Sequence, residues 1–146
     1  MSKFMYKHPF DGDCFDVSQT PDEVFSQKLL GPGFVYKPKT GEVYSPIDGV
    51  ISMVFPTKHA ISIKHKDNFE VLIHVGLDSV ELKGEGFKHH VKLNQHVKIG
   101  DPILSFDLEL LLSKAVIYSP VVFVQMQSLT QLEKENSQGY SLYKIT

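Results

Sequence analysis

The sequence predicts a mostly β protein, an antiparallel β-sandwich or flattened barrel of short strands with one or two short helices. Short runs rich in apolar and β-branched residues recur along the chain. Turn-forming residues separate these runs, at Gly41, Gly49, Asn94, Gly100-Asp101 and Gly139. We predict strands over residues 13–17, 34–37, 50–55, 60–64, 70–75, 87–92, 102–106, 121–125 and 140–145.

Two short helices are predicted from their capping residues. Thr20 begins a capping box in which Pro21 takes the first helical position, and Gly31 ends the apolar run that follows. Asp107 is placed to cap a second helix over residues 108–114. The apolar stripe of this second helix, which we expect to face the core, consists of Leu108, Leu111, Leu112 and Ala115.

The composition is that of one globular domain over residues 1–146, of which 1–10 are expected to form a flexible N-terminal segment. Apolar residues make up 42% of the chain, and a formal net charge of −2 without a basic stripe argues against nucleic acid as a partner. Cys14 is the only cysteine, which fits a reducing cytoplasm. No signal-type or long apolar segment occurs, so we expect no direct membrane insertion.

His59 and His74 carry the most informative spacing in the chain. They flank a polar, turn-prone stretch at residues 65–68, and the segments on both sides are apolar. A turn centred between Lys66 and Asp67 places His59 opposite His74, and Ile61 opposite Leu72. The two imidazoles would then share one face of a hairpin, with Cβ atoms roughly 4.5–5.5 Å apart.

Two facing histidines support two kinds of chemistry. One imidazole can attack phosphorus while the other donates a hydrogen bond to the phosphoryl oxygens. Alternatively, both can bind a metal ion such as zinc, which needs at least one further ligand. Both can also be ordinary strand residues that are partly buried and hydrogen-bonded.

Several longer segments around the pair belong together as a recognisable pattern. They are residues 45–51 (SPIDGVI), 55–60 (FPTKHA), 73–87 (IHVGLDSVELKGEGF), 97–101 (VKIGD) and 106–108 (FDL). The sequence resembles the glucose-type enzyme IIA of the bacterial phosphoenolpyruvate-dependent sugar phosphotransferase system, from about residue 11 to the C-terminus.

The resemblance implies a role for each residue of the site. His74 would carry the phosphoryl group, His59 would be its neighbour, and Thr57 would orient His59. Asp78 would lie nearby, although capping of the following turn explains that residue equally well. The phosphoryl group would come from the phosphocarrier protein HPr and pass to the IIB domain of a sugar transporter. Regulatory protein targets of the unphosphorylated form are also consistent with the resemblance.

The resemblance further implies a docking surface for partner proteins around the histidine pair. The apolar residues expected there are Val24, Phe25, Phe55 and Ile61, with Asp78 beside them. Burial in the core explains each apolar residue about equally well. No cofactor is required by this function, but a partner that supplies a carboxylate could complete a zinc site on His59 and His74.

Two other functions compete with the phosphoryl carrier. A zinc-dependent endopeptidase of similar β-fold would need a histidine two positions before His74, where Leu72 stands. A biotinyl or lipoyl carrier would need an acceptor lysine at a hairpin tip, and the neighbours of Lys66 do not match that motif.

The chain carries further histidines outside the pattern. We expect His65 to be a solvated turn residue, and only one of His89 and His90 to face inward. The positions of these residues and of His96 in the sequence do not predict a metal site shared with His59 and His74.

Overall fold

The structure, a computed structural model, describes residues 3–114, 116–124, 126, 129–135 and 140–145. Its strands are β1 (Lys3–Lys7), β2 (Phe10–Asp16), β3 (Gly33–Tyr44), β4 (Gly49–Val54), β5 (Ala60–Lys64), β6 (Glu70–His74), β7 (Phe87–His89), β8 (His96–Val97), β9 (Pro102–Phe106), β10 (Ser119–Val124), β11 (Leu129–Glu135) and β12 (Tyr140–Ile145). The helices are α1 (Glu23–Ser26) and α2 (Leu108–Lys114), with 3₁₀ turns at Val17–Gln19 and Ser79–Leu82.

The strands form two antiparallel sheets. The larger sheet has the order β7-β9-β3-β10-β6-β5-β4-β8, with β2 added to β3, and it curls into a half-barrel. The smaller sheet has the order β1-β12-β11. The prediction of a mostly β, antiparallel fold with two short helices is confirmed.

The core lies on the inner face of the curled sheet. Ile61 and Ile63 of β5 and Val71 and Ile73 of β6 alternate inward and are fully buried. Truncating one of these isoleucines to alanine costs about 2–5 kcal/mol. Burial of this face therefore fixes the position of the β5–β6 hairpin, at whose open end both histidines lie.

Most strand predictions agree with the structure, and those over residues 60–64, 102–106 and 140–145 match β5, β9 and β12 to the residue. The strand predicted over 34–37 is instead the long β3, which continues through Gly41. That glycine is not a turn residue, because it lies inside this strand. A Cβ there would lie 2.0 Å from the carbonyl oxygen of Phe106. The small size of Gly41 allows close approach of β9. The turn predicted at Gly139 lies outside the described residues.

Three strands have no counterpart in the sequence-based prediction, namely β1, β8 and β11. The first of these lies in the segment expected to be flexible. Phe4 and Tyr6 of β1 point into the core, and the Tyr6 hydroxyl lies 2.7 Å from that of Tyr36. Apolar alternation in so short a terminal segment is a weak signal, and its burial depends on pairing with β12 at the far end of the chain.

Helix α1 begins two residues later than the capping box predicts. Asp22, not Thr20, is its N-cap, and the Asp22 carboxylate accepts hydrogen bonds from the N–H groups of Val24 (2.9 Å) and Phe25 (3.4 Å). The Thr20 hydroxyl instead donates to the carbonyl oxygen of Val17 over 2.6 Å. The helix is a single turn and does not continue to Gly31.

Helix α2 has the predicted bounds, and Asp107 accepts a hydrogen bond from Leu110 N–H over 3.1 Å. Its stripe is only partly in the core. Leu111 is buried, but Leu112 is 58% exposed, and Ala115 lies outside the described residues. Neither this helix nor any other in the described part of the chain has the length and apolar character required to cross a lipid bilayer.

Candidate functional site

The β5–β6 hairpin does not have the predicted register. Ala60, not His59, is paired with His74, and Ile61 faces Ile73 rather than Leu72. The predicted turn had two loop residues, whereas the loop between His65 and Phe69 has three. Asn68 adopts a left-handed conformation at φ 65°, as the last residue of a three-residue hairpin loop often does. The register prediction was therefore wrong by one residue.

The two imidazole rings nevertheless meet. Their centroids are 4.8 Å apart, and the ring planes cross at 76°. His59 precedes the first residue of β5, so it is not bound by the strand's alternation. Lys58 before it has a φ of 64°, and this left-handed residue turns the backbone at the entry to β5. The hairpin thus brings the rings together by a loop bend instead of a cross-strand pair.

His74 lies at the end of β6, on the outer face of the hairpin, where its ring makes an edge contact with Phe25 at 5.4 Å. Its Nδ1 lies 2.7 Å from the carbonyl oxygen of Gly76. A carbonyl oxygen can only accept, so Nδ1 carries the hydrogen and donates it. The neutral ring therefore presents its lone pair at Nε2.

The charge of His74 is set by its surroundings. Burial lowers the pKa of this imidazole to about 4, and the adjacent His59 contributes in the same direction. The hydrogen bond to Gly76 and the carboxylates of Asp22 and Asp78 oppose these effects. At neutral pH the ring is uncharged, as a nucleophilic imidazole must be.

His59 is almost completely buried, at 3% exposed. Its Nδ1 lies 2.7 Å from the Thr57 hydroxyl, and its ring contacts Phe55 edge-on at 5.5 Å. Burial lowers the pKa of His59, an effect that a backbone hydrogen bond to Thr57 opposes. Thr57 reaches the ring across the left-handed turn at Lys58.

The loop after His74 is built around a buried glycine that the sequence analysis did not single out. Gly76 has a φ of 74°, and a Cβ there would lie 2.9 Å from a methyl group of Leu111. Its N–H donates to the Ser119 hydroxyl over 2.9 Å. Ser79 donates its hydroxyl hydrogen to the carbonyl oxygen of Val75. These contacts fix the position of the Gly76 carbonyl oxygen, which orients His74. The sequence signal for this arrangement is the glycine two residues after the histidine.

The sequence and the fold that carry these two imidazoles are matched by known proteins. The family model of the phosphoenolpyruvate-dependent sugar phosphotransferase system, EIIA 1, matches residues 5–129. The chain belongs to this family. It is a phosphoryl carrier of the sugar phosphotransferase system, and this classes it as a phosphotransferase.

Similar proteins extend over most of the chain. It is 44% identical over 128 residues to a glucose-specific EIIA component of Halalkalibacterium halodurans, covering 87% of this chain and 74% of that protein. It is 45% identical over 123 residues to a glucose-specific EIICBA component of Staphylococcus carnosus, covering 84% of this chain but only 18% of that protein.

The fold is also that of a solved structure. Glucose permease IIA from Mycoplasma capricolum superposes with a TM-score of 0.81 and is 37% identical in sequence. The match covers 84% of this chain and 80% of that chain. None of these similarities supports the zinc endopeptidase alternative.

Two carboxylates lie near the histidine pair of this EIIA chain. Asp22 caps α1, and Asp78 precedes the 3₁₀ turn Ser79–Leu82 with a left-handed φ of 60°. Asp78 was expected to serve either as a cap or as a site residue. Its side chain makes no capping hydrogen bond, so its exposed carboxylate remains available beside His74.

The predicted docking residues divide by exposure. Val24 is 45% exposed, Phe55 is half-buried, and Asp78 is exposed. Phe25 is buried against His74, and Ile61 is fully buried in the core. Ile61 therefore cannot contact a partner, and including it in the surface was wrong, because the true register turns that residue inward.

The remaining histidines do not extend the pair into a metal site. His89 Nε2 lies 3.1 Å from the Lys58 carbonyl oxygen, and His90 Nε2 lies 3.0 Å from the Ser105 hydroxyl. His65 is not a solvated turn residue, since its ring is only 9% exposed and stacks on Phe69. Within the described residues, no three His, Cys, Asp or Glu side chains group closely enough to hold a metal ion. His59 and His74 alone supply two nitrogen ligands, fewer than a zinc site needs.

Proposed function

We propose that Nε2 of His74 accepts a phosphoryl group from the phosphocarrier protein HPr and passes it to the IIB domain of a glucose-type sugar transporter. One observation carries this proposal. The Nδ1–H of His74 is committed to the Gly76 carbonyl oxygen, so the nucleophilic lone pair of a neutral ring is left at Nε2, beside His59.

The transfer needs no proton at the reacting nitrogen. Nε2 of His74 would form a bond to phosphorus as the bond from phosphorus to the donor atom of HPr breaks, and that donor atom leaves with the electron pair. The acceptor ring then carries positive charge, which the Nδ1–H shares with the Gly76 carbonyl oxygen. Donation to the IIB domain reverses these steps at His74.

His59 would stabilise the transferred group. A hydroxyl can donate as well as accept, and donation from Thr57 to Nδ1 leaves the hydrogen of His59 on Nε2. That N–H can then hydrogen-bond a phosphoryl oxygen on the neighbouring ring. Positioning and electrostatics of this kind supply most of the catalysis in phosphoryl transfer. Thr57 acts here as a positioning residue.

Partners would dock over the exposed side chains around the pair. Val24, Val80 and Leu29 are 45%, 48% and 67% exposed, and Val24 lies next to Phe25, which contacts His74. Such a patch, with the Asp78 carboxylate at its edge, suits transient complexes, in which release matters as much as affinity. Regulatory proteins that bind the unphosphorylated form would use the same surface.

The transporter would be of the glucose type, because the relatives described above are named for glucose. A further relative, 50% identical over 100 residues, is named as a glucoside-specific EIICBA component. We place the transfer in the cytoplasm, where a single exposed cysteine such as Cys14 stays reduced.

Labelling with radioactive phosphoenolpyruvate, in the presence of the two general phosphotransferase proteins, tests the assignment. We expect label on His74 alone, and none in His74→Gln with its circular dichroism unchanged. The matched control is His90→Gln, because His90 is exposed and its ring contacts the Ser105 hydroxyl, away from His74. Label on any residue of His74→Gln would overturn the assignment.

A further inference from the structure

A second concave site lies at the closed end of the β5–β6 hairpin, away from the histidine pair. It is a cleft of about 980 Å³ between β1, the start of β4, the β5–β6 loop and β8. Its volume is within the range of small-molecule sites. The five residues of β5 separate it from His59, roughly 16 Å at the rise of an extended strand. A ligand in the cleft would therefore not touch the phosphoryl site.

His65 presents a fixed hydrogen-bond donor to this cleft. The ring is buried except for 9%, stacked on Phe69 with centroids 4.5 Å apart and planes 16° from parallel, and it also contacts Phe4. Its Nδ1 accepts the backbone N–H of Asp67 over 3.1 Å. An accepting Nδ1 leaves the hydrogen of the neutral ring on Nε2.

No described residue accepts a hydrogen bond from that Nε2–H. Every fully buried polar side-chain atom in the described part of the chain has a partner, so Nε2 opens to solvent, and the ring lines the cleft. Burial lowers the pKa of His65, and this keeps the ring neutral at physiological pH even with the Asp67 carboxylate 3.6 Å from Nδ1.

Three lysine side chains line the same cleft as this donor. Lys64, Lys66 and Lys98 line the cleft and are exposed, and none has a carboxylate within 4.0 Å among the described residues. Three lysines without ion pairs and one N–H donor in the same cleft suit a compact anion with several acceptor oxygens, such as a phosphate group.

Three carboxylates line the cleft: two of them accept hydrogen bonds from backbone N–H groups, and the third, Asp67, lies beside His65. Asp48 accepts the N–H of Ile99 over 2.8 Å, and Asp101 accepts the N–H of Lys98 over 2.9 Å. Each uses one oxygen in these bonds and retains the other. Oxygen acceptors beside the lysines would repel an extended polyanion but would bind hydroxyl groups.

We propose that this cleft binds a phosphorylated sugar, with its phosphate on His65 Nε2–H and the lysines and its hydroxyls on Asp48 and Asp101. Binding in this cleft does not depend on phosphoryl transfer at His74, and the two sites are tested by separate experiments. The two sites share one hairpin but no residue.

Calorimetric titration of the full chain with glucose 6-phosphate, glucose and inorganic phosphate tests the site. We expect saturable binding of glucose 6-phosphate, binding of inorganic phosphate weaker by about tenfold or more, and no binding of glucose, because the anionic and hydroxyl contacts are both needed. Absence of saturation by glucose 6-phosphate up to about 10 mM would overturn the site. Equal affinity for inorganic phosphate would overturn the recognition of the sugar.

Two variants test the contributions of the His65 donor and of the lysine charges separately. His65→Phe keeps an aromatic ring on Phe69 but removes Nε2–H, and Lys98→Gln removes one ammonium group at an exposed position, where we expect the fold to be retained. Each should weaken glucose 6-phosphate binding about tenfold. Lys88→Gln, at an exposed lysine on β7 outside the cleft, should bind as the parent does. Unchanged affinity in both His65→Phe and Lys98→Gln would place the ligand elsewhere.

Discussion

His74 donates its Nδ1 hydrogen to the carbonyl oxygen of Gly76, two residues further along the chain, over 2.7 Å. This bond selects which nitrogen of the ring is free, so it links a backbone conformation to the chemistry of the site. The conformation itself requires glycine, because φ is 74° and Leu111 and Val116 close around the missing side chain. The packing of α2 and the tautomer of His74 thus depend on each other.

Gly76→Ala should damage both stability and transfer. An alanine Cβ would lie 2.9 Å from Leu111 and 3.1 Å from the Val116 carbonyl oxygen, besides adopting a left-handed φ. We expect a loss of about 1–2 kcal/mol from the backbone and a further 1–3 kcal/mol from overpacking. Urea unfolding measures the total, and labelling of the folded fraction measures the loss of His74 orientation.

Gly84→Ala is the matched control for this substitution. Gly84 has a φ of 89°, but the nearest atom to a Cβ there is 3.7 Å away. It should show the backbone cost alone. If both variants lost the same stability, the contacts of Gly76 with Leu111 and Val116 would not be the cause.

His59→Gln should affect donation more than acceptance. The buried ring lies against the ring of His74, and it would stabilise charge as a phosphoryl group leaves that residue. Removing one such donor costs about 10²–10³ in rate. Rapid-quench measurement of transfer from the labelled chain to a IIB domain gives this rate, and the extent of labelling by HPr should be nearly unchanged.

Thr57→Val provides the comparison, because it retains the His59 ring and removes only the hydroxyl at 2.7 Å. Its effect should be smaller, about tenfold, as for the loss of one hydrogen bond. Transfer at the parent rate in His59→Gln would assign His59 to packing alone.

The elements of the site could be predicted from the sequence more readily than their contacts. Apolar runs and turn residues located β5 and β6, but the number of residues in their loop depended on the conformation of Asn68, which composition does not fix. One residue of error moved His59 out of register with His74 and turned Ile61 inward. The rings still meet because of the left-handed Lys58, a feature that local propensity does not report.

Burial was the other property that the sequence left undetermined. His65 stands in a polar loop and was expected in solvent, yet Phe4 and Phe69 enclose it. Phe4 reaches that position because β1 pairs with β12, at the opposite end of the chain. Contacts between such distant segments are set by the whole fold, so neither the buried histidine nor its cleft follows from the local pattern.

Zinc should bind only weakly to the chain alone. His59 and His74 offer two nitrogen ligands where a zinc site takes three or four, and no carboxylate or thiol of the described residues groups with them closely enough to be a third. A partner carboxylate would raise the affinity, and a phosphoryl group on His74 would compete with the metal. Calorimetry with zinc, before and after phosphorylation and in His59→Gln, measures this. Equal affinity in the three samples would place the metal away from the pair.

The pKa of His74 should make the protein less stable in acid. Its folded value is about 4 and its ordinary value is 6.5, so the unfolded chain binds more protons between these limits. The contribution of the neutral ring to stability is complete above about pH 6.5 and is lost as the pH falls toward 4. His59, His65 and His89 shift in the same direction, so a comparison of variants is needed to isolate His74.

The free energy of unfolding of the parent and of His74→Gln, measured by urea from pH 4 to 7, isolates this effect. The stability of the parent relative to the variant should fall as the pH decreases through this range, because only the parent must take up a proton at His74 on unfolding. Titration of the His74 ring by NMR should have its midpoint near 4. A midpoint near 6.5, together with a stability difference that does not change with pH, would show that burial does not lower the pKa of His74. The electrostatic basis of the proposed nucleophile would then be lost.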